Sequence, residues 1–222
     1  MKNILLIGSS SSTSINFEKK YQDSYKFYKM SRNTEFSDVD NFDVMNEKTY
    51  LNTENKFDGL IYFPGSINLK PFERIEESDF QNDFNINVMG LIKILKFYKK
   101  SLREGSSLIF FSTVASKIGM PFHSSVATVK SAIDGLSKSL AAEWAPHIRV
   151  NTISPSLFKS KMSNNFFLSD KKIERISNNH PLKRTGVTDD ISSLINFLIS
   201  DDSNWITGQN ISIDGGMSTI KQ

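Results

Sequence analysis

A serine-rich stretch, GSSSSTS at residues 8–14, follows a short apolar run near the start of the chain. Small residues before a helix leave backbone N–H groups free, and with the helix dipole these groups favour a bound anion. The stretch therefore predicts a phosphate-binding loop, with candidate contacts Gly8, Ser10, Ser12, Thr13 and Ser14. A serine-rich turn that only caps a helix fits the same letters.

A lysine ends the second stretch of chemical interest, HSSVATVK at residues 123–130. A lysine on an amphipathic helix is either exposed or has its pKa lowered by burial, so its chemistry depends on its neighbours. One helical turn earlier stands Val126, in register with the apolar residues Val129 and Ile133. A valine has no proton to give, so the chemistry of Lys130 depends on which other residues the fold brings near it.

Composition narrows the function classes. The 222 residues are 38% hydrophobic and 23% charged, which is typical of one globular domain spanning residues 1–222. The formal charge of +3 is mild and scattered, which argues against nucleic-acid binding. The absence of cysteine and the wide spacing of the three histidines argue against a metal site. The apolar start is too short for a membrane span or signal, so we expect a cytoplasmic protein.

Short apolar runs alternate with helical patterns along the chain, which predicts repeated βα units and a parallel sheet. The N-cap of one helix is expected at Thr188, with Asp189 and Asp190 at its positive end. Two longer helices are expected at about 78–100 and 124–143, the first with Phe80, Phe84, Val88, Leu91, Ile92 and Leu95 on its apolar face. Seven strands are predicted, at 3–8, 25–31, 42–45, 57–63, 107–113, 149–154 and 210–214.

Three segments together resemble the short-chain dehydrogenase/reductase family: NVMG (87–90), the long run from FFSTVASK to NTISPS (110–156), and ITGQNISIDGG (206–216). This resemblance covers nearly the whole chain. It implies a Rossmann-like, doubly wound parallel sheet of about seven strands with helices on both faces, and a nicotinamide cofactor. It also implies a homodimer or homotetramer built on the two long helices, and a carbonyl or alcohol as substrate.

The resemblance assigns catalytic roles position by position. The family uses an asparagine, a serine, a proton-donating tyrosine and a lysine that lowers the pKa of the tyrosine and holds the nicotinamide ribose. Asn87 and Lys130 match, Thr113 stands at the serine position, and Val126 replaces the tyrosine. Because a positioned general acid contributes roughly 10²–10⁴ in rate, the family mechanism in its usual form cannot operate here.

The cofactor positions are also altered. Serines replace two family glycines, at Ser12 and Ser14, so we expect weaker dinucleotide binding, and a positive φ at Ser12 would be disfavoured. Arg32 at the end of the second strand favours NADP over NAD, although a solvated arginine fits the same position. The resemblance also gives Asp43 as an adenine contact. The remaining expected cofactor contacts are Gly65, Lys130, Pro155, Ser156, Phe158 and Ser160.

The sequence leaves three functions open. The first is a divergent NAD(P)-dependent oxidoreductase of the carbonyl reductase or alcohol dehydrogenase class, with Tyr62 or His123 at the cleft rim as a substitute acid. The second is a catalytically silent homologue, a pseudoenzyme that binds a metabolite or joins a hetero-oligomer with an active relative. The third is a non-redox lyase or dehydratase that uses Lys130, Thr113 or Ser125. The aromatic residues expected to fill part of the nicotinamide pocket are Tyr62, Phe63 and Phe158.

Overall fold

Six parallel strands form one sheet in the computed structural model, which describes residues 1–221. Their order across the sheet is β2-β1-β3-β4-β5-β6. The inner strands are continuously apolar, as in Ile4–Ile7, because both faces of the sheet are covered by helices. The strands are β1 (Lys2–Ile7), β2 (Tyr25–Met30), β3 (Phe57–Tyr62), β4 (Leu102–Phe111), β5 (Ile148–Pro155) and β6 (Asn210–Ile213).

Helices pack on both faces of this sheet, as predicted for a Rossmann-like fold. One face is covered by α1 (Ser12–Tyr21) and α6 (Thr188–Ile199). The other is covered by α2 (Glu77–Phe84), α3 (Gly90–Tyr98) and α4 (Ser124–Trp144). A further helix, α5 (Asp170–Asn178), follows β5. The strand order reverses between β1 and β3, and such a reversal opens a ligand crevice at the carboxyl ends of the strands.

The predicted strand at 42–45 does not form, so the count is six among the described residues rather than seven. The backbone of this segment makes hydrogen bonds to neighbouring residues in turns and does not pair with another strand. Asp43 N donates to Thr49 Oγ1 at 2.9 Å, and Met45 N donates to Asp43 Oδ1 at 2.9 Å. Tyr50 donates its hydroxyl proton to the Val44 carbonyl. These turns bury Phe42 against the core without adding an edge strand.

The predicted helix at 78–100 is divided by a π-helical turn, Asn85–Met89, which separates α2 from α3. The inward face of α2 carries Asp83, which is fully buried, whereas Phe84 is 37% exposed. The expectation that Phe84 faces the core is therefore wrong. The wider turn changes the angular register, so apolar periodicity across it misassigns the inward face.

The start of α6 also differs by one residue from the prediction. Thr188 is the first helical residue, and Val187 holds the capping position. The Asp190 carboxylate, in the first turn, accepts a hydrogen bond from Val187 N at 2.9 Å and so satisfies the backbone N–H of the N-cap residue. Asp189 and Asp190 do lie in the positive first turn, as expected.

Candidate active site

The serine-rich loop lies at the crevice between β1 and β3. Gly8 has a φ of +79°, and a Cβ added there would lie 3.0 Å from Pro64 Cδ. Only glycine suits both the conformation and the close approach. Ser11 caps α1, since Ser14 N donates to Ser11 Oγ at 3.1 Å. Ser12 is helical and not in the left-handed region, so it does not adopt the positive φ that a serine would disfavour.

Three contacts tie the loop to its surroundings. Ser31 Oγ donates to Ser10 Oγ at 2.7 Å, which places Arg32, the exposed next residue, beside the loop. Lys161 N, in the segment after β5, donates to Ser12 Oγ at 2.9 Å. The segment after β5 thus lies directly on the phosphate-binding loop. Thr13 and Ser14 point inward and are buried.

Lys130 is buried at the carboxyl end of β4. Its side chain donates from Nζ to the Phe111 carbonyl at 3.0 Å. Burial lowers the pKa of Lys130 to about 8, although Asp134 and Asp83 act in the opposite direction. A Cβ added to Gly65 would lie 3.4 Å from Lys130 Nζ and 3.1 Å from Asn87 Oδ1. The side chains of Asn87 and Lys130 therefore lie next to each other, against the backbone of Gly65.

Asn87 is held in one orientation by its amide nitrogen. Nδ2 donates to the Asp83 carbonyl at 2.8 Å and to Ser66 Oγ at 3.1 Å. The amide oxygen, Oδ1, is buried and has no partner among residues 1–221. A buried acceptor without a partner costs free energy, so it marks a place for a water molecule or a ligand that donates a hydrogen bond.

Asp83 is a functional candidate that the sequence analysis missed. It is fully buried and its carboxylate accepts from Ser66 Oγ, from Asn68 Nδ2 at 3.0 Å and from Ser125 Oγ at 2.6 Å. Three donors fit an ionised carboxylate, which can only accept. The detectable signal was its spacing of four residues from Asn87, which puts two residues on one face of a regular helix.

The position of the missing tyrosine is filled by an apolar side chain. Val126 is 4% exposed and stands one turn before Lys130 on α4. Thr113 caps the turn after β4, where its Oγ1 accepts from Ala115 N at 3.3 Å. The threonine hydroxyl proton is not used in that contact. Thr113 therefore keeps a donor that can point toward a substrate oxygen.

The two candidate substitute acids differ in position. Tyr62 is 1% exposed, donates its hydroxyl proton to the Ile86 carbonyl at 2.6 Å, and has a pKa well above its usual range because of burial. The expectation that Tyr62 lies at the cleft rim is wrong, because its place on β3 points it under α3. His123 is half-buried at the start of α4, as predicted, with Nδ1 2.7 Å from the Pro121 carbonyl.

The expected aromatic filling of one pocket by three rings is also wrong. Tyr62 belongs to the core on the α3 side of the sheet, whereas Phe63 and Phe158 pack into the core on the α1–α6 side. The Phe63 ring stacks on Phe111 with centroids 5.2 Å apart. Side chains alternate across a strand, so neighbouring residues at the end of β3 face opposite layers.

The remaining expected cofactor contacts are spread around the crevice. Asp43 is exposed, and its carboxylate accepts from Met45 N. Pro155 ends β5, and Ser160 Oγ lies 2.9 Å from Ser163 Oγ. Ser156 Oγ lies 2.9 Å from His180 Nε2, a partner that the sequence analysis did not foresee.

Two negative observations apply to residues 1–221. They contain no group of three or more histidine, aspartate or glutamate side chains arranged to hold a metal ion. None of the helices in this range is long and apolar enough to cross a membrane.

Comparison with known proteins places this chain in a family. A family model described as enoyl-(acyl carrier protein) reductase matches residues 18–218. The chain is 34% identical over 165 residues to a 3-oxoacyl-(acyl-carrier-protein) reductase of Buchnera aphidicola, a match that covers 73% of this chain. The chain spans 66% of the length of that protein and of another curated relative.

Two solved structures share the fold over the full chain. A 4-hydroxyisoleucine dehydrogenase complexed with NADH is 24% identical, with a TM-score of 0.87 and complete coverage of both chains. A tyrosine-to-phenylalanine variant of ElxO with NADPH bound is 25% identical, with a TM-score of 0.85 over 98% of this chain and 99% of that one. The chain belongs to the short-chain dehydrogenase/reductase family.

Proposed function

We propose that this protein is an NAD(P)-dependent oxidoreductase that reduces a carbonyl or oxidises an alcohol, with Lys130 supplying the proton that a tyrosine would otherwise give. The observation that carries the proposal is the buried ammonium of Lys130, which meets Gly65 and the unpartnered Asn87 Oδ1 at the crevice. The lowered pKa of Lys130, about 8, suits a group that exchanges protons near neutral pH.

The residues present fit a nicotinamide dinucleotide. Gly8 permits close backbone approach at the amino end of α1, where N–H groups and the helix dipole favour a pyrophosphate. Arg32 beside the loop favours the 2′-phosphate of NADP. Bound NADH and NADPH in the two solved relatives support this assignment. The cofactor, when bound, supplies or accepts the hydride.

The side chains of the chain itself handle orientation and the proton. The free hydroxyl proton of Thr113 donates to the substrate oxygen. Lys130 gives its Nζ proton to the oxygen that becomes an alkoxide, directly or through a water held by Asn87 Oδ1. Asp83 fixes Asn87 through Ser66 and provides a buried negative charge that favours the ammonium form of Lys130. In alcohol oxidation the same proton moves in reverse.

A titration with NADPH and NADH, followed by turnover with a panel of carbonyl compounds, tests the proposal. We expect micromolar binding of at least one dinucleotide, and turnover that Lys130→Met lowers by at least about 100-fold. The matched control is Lys138→Met, an exposed lysine two turns later on α4, which should keep turnover. Binding without any turnover, or equal turnover in Lys130→Met, would contradict the proposal.

A second function is favoured by a specific contact. The hydrogen bond from Lys161 N to Ser12 Oγ lies across the phosphate-binding loop, and Val126 removes the usual acid. Both fit a silent homologue that acts through binding, as a homo-oligomer or as a subunit beside an active relative. Absence of dinucleotide binding together with a mixed oligomer on co-expression with an active homologue would support this second function over the first.

A further inference from the structure

A cavity of about 250 Å³ lies at the carboxyl ends of β5 and β6, against the first turn of α6, and two expected cofactor contacts, Ser156 and Phe158, line it. Its walls include Ser156, His180, Arg184 and Asp214. None of the residues that meet at Lys130 lines it. The cavity therefore offers a second chemical environment, on the α1–α6 side of the sheet.

Ser156 and His180 form a nucleophile–base pair by their geometry. Ser156 Oγ lies 2.9 Å from His180 Nε2, and His180 Nδ1 lies 2.7 Å from the Ile176 carbonyl. A carbonyl can only accept, so Nδ1 carries the proton. Nε2 of the neutral ring is then an acceptor for the serine hydroxyl proton. This is the tautomer that a general base requires, and a third group orients the ring.

The burial of the two side chains suits these roles. His180 is 2% exposed, so its orientation is fixed by packing as well as by the carbonyl. Ser156 is half-buried and reaches the cavity wall. A fixed base beside an accessible hydroxyl is the arrangement that activates a serine.

Charged side chains surround the cavity. Burial alone would raise the pKa of Asp214, but hydrogen bonds from Ser218 and Gly216, together with nearby His180, lower that pKa on balance. The positive end of α6 faces the cavity, and Arg184 pairs with Asp190 at its edge through 2.7 and 2.8 Å hydrogen bonds. The same turn also carries the carboxylates of Asp189 and Asp190, which line the cavity.

We propose that Ser156 and His180 hydrolyse short-chain carboxylic esters in this cavity. Ser156 Oγ bonds to the acyl carbon while its proton passes to His180 Nε2. The bond from carbon to the alcohol oxygen then breaks, and that oxygen takes the proton from Nε2. Water attacks the acyl-serine and gives one proton to Nε2, which returns it to Ser156 Oγ as the carboxylic acid leaves. The small volume of the cavity restricts the acyl group to a short chain.

Covalent labelling with an alkyl fluorophosphonate, mapped by peptide mass spectrometry, tests the pair directly. We expect one label on Ser156 of the full chain, and slow turnover of p-nitrophenyl acetate. His180→Gln should lower the labelling rate by about 100-fold or more, because a general base contributes roughly 10²–10⁴. Ser156→Ala should abolish both signals.

The matched control is Ser193→Ala. Ser193 lines the same cavity, but its hydroxyl donates to the Asp189 carbonyl at 2.9 Å and has no histidine partner. Labelling and turnover should remain in this variant. A wild-type chain that carries no label on Ser156 would overturn the proposal, and this outcome does not depend on whether any variant folds. Equal labelling rates in wild type and a folded His180→Gln would overturn it as well, and would leave the pair as a link between β5 and α5.

Discussion

The Ser125 hydroxyl at the start of α4 donates a 2.6 Å hydrogen bond to the Asp83 carboxylate on α2, and both side chains are fully buried. The two residues are 42 positions apart in the chain. Their bond joins two helices at the floor of the crevice and ends a hydrogen-bonded chain that runs through Ser66 to Asn87. The orientation of Asn87 therefore depends on a carboxylate that does not face the substrate.

Replacement of that carboxylate tests its role. In Asp83→Asn an amide nitrogen must face a donor, so we expect the free energy of unfolding to fall by about 2–3 kcal/mol. Loss of the buried negative charge should also lower the pKa of Lys130 further, moving the loss of reductase activity to lower pH. Chemical denaturation and a pH–rate profile measure the two effects. Asp79→Asn, one turn earlier and paired with half-exposed Lys70, should change stability by less than about 1 kcal/mol and leave the profile in place.

Restoring the missing acid should change the mechanism. We expect Val126→Tyr to raise carbonyl reduction by about 100-fold, because a phenol one turn before Lys130 supplies the proton directly. The larger ring replaces a buried valine, so stability should fall by about 1–3 kcal/mol. Val126→Phe carries the same bulk without a hydroxyl and should give no increase. Steady-state rates with NADPH measure the effect. An equal increase in both variants would show that the size of the side chain, and not its hydroxyl proton, causes the gain.

Burial of the Lys130 amine lowers the free energy of unfolding by an amount that depends on pH. The folded-state pKa of Lys130, about 8, lies below the ordinary value of 10.5, so the unfolded chain binds more protons between these two values. The free energy of unfolding contributed by this group therefore rises with pH across that window. The cost at neutral pH is on the order of 3 kcal/mol. Lys130→Met should be more stable than wild type at pH 7, by about 1–3 kcal/mol, and the difference should shrink towards pH 10 in urea denaturation series.

The glycine at the phosphate-binding loop offers a test with a built-in control. Gly8 and Gly105 both have positive φ, +79° and +80°, but only Gly8 has a neighbour, Pro64, at 3.0 Å from an added Cβ. Gly105→Ala should lower the free energy of unfolding by about 1 kcal/mol, because only backbone strain is added. Gly8→Ala should cost more and also weaken dinucleotide binding at least about tenfold, measured by calorimetric titration. Equal dinucleotide affinity in the two variants would place the cofactor elsewhere.

Local pattern determined a large part of this protein. The alternation of apolar strands and amphipathic helices predicted the parallel sheet, and the four-residue spacing of Val126 and Lys130 put both on one helix face. Both patterns relate residues that are close together in the sequence, and for this reason they can be recognised without the structure. The resemblance of whole segments to one family added the convergence of Asn87 with Lys130.

The tertiary structure decided what depends on contacts between distant segments. Strand alternation turned Tyr62 inward beneath α3, the helix divided by a π-helical turn put Asp83 instead of Phe84 on the inward face, and local turns replaced the strand expected at 42–45. The pairings of Ser125 with Asp83 and of His180 with Ser156 join residues 42 and 24 positions apart. Hydrogen bonds of this kind have no period in the sequence, because their geometry is fixed only when the helices pack on the sheet.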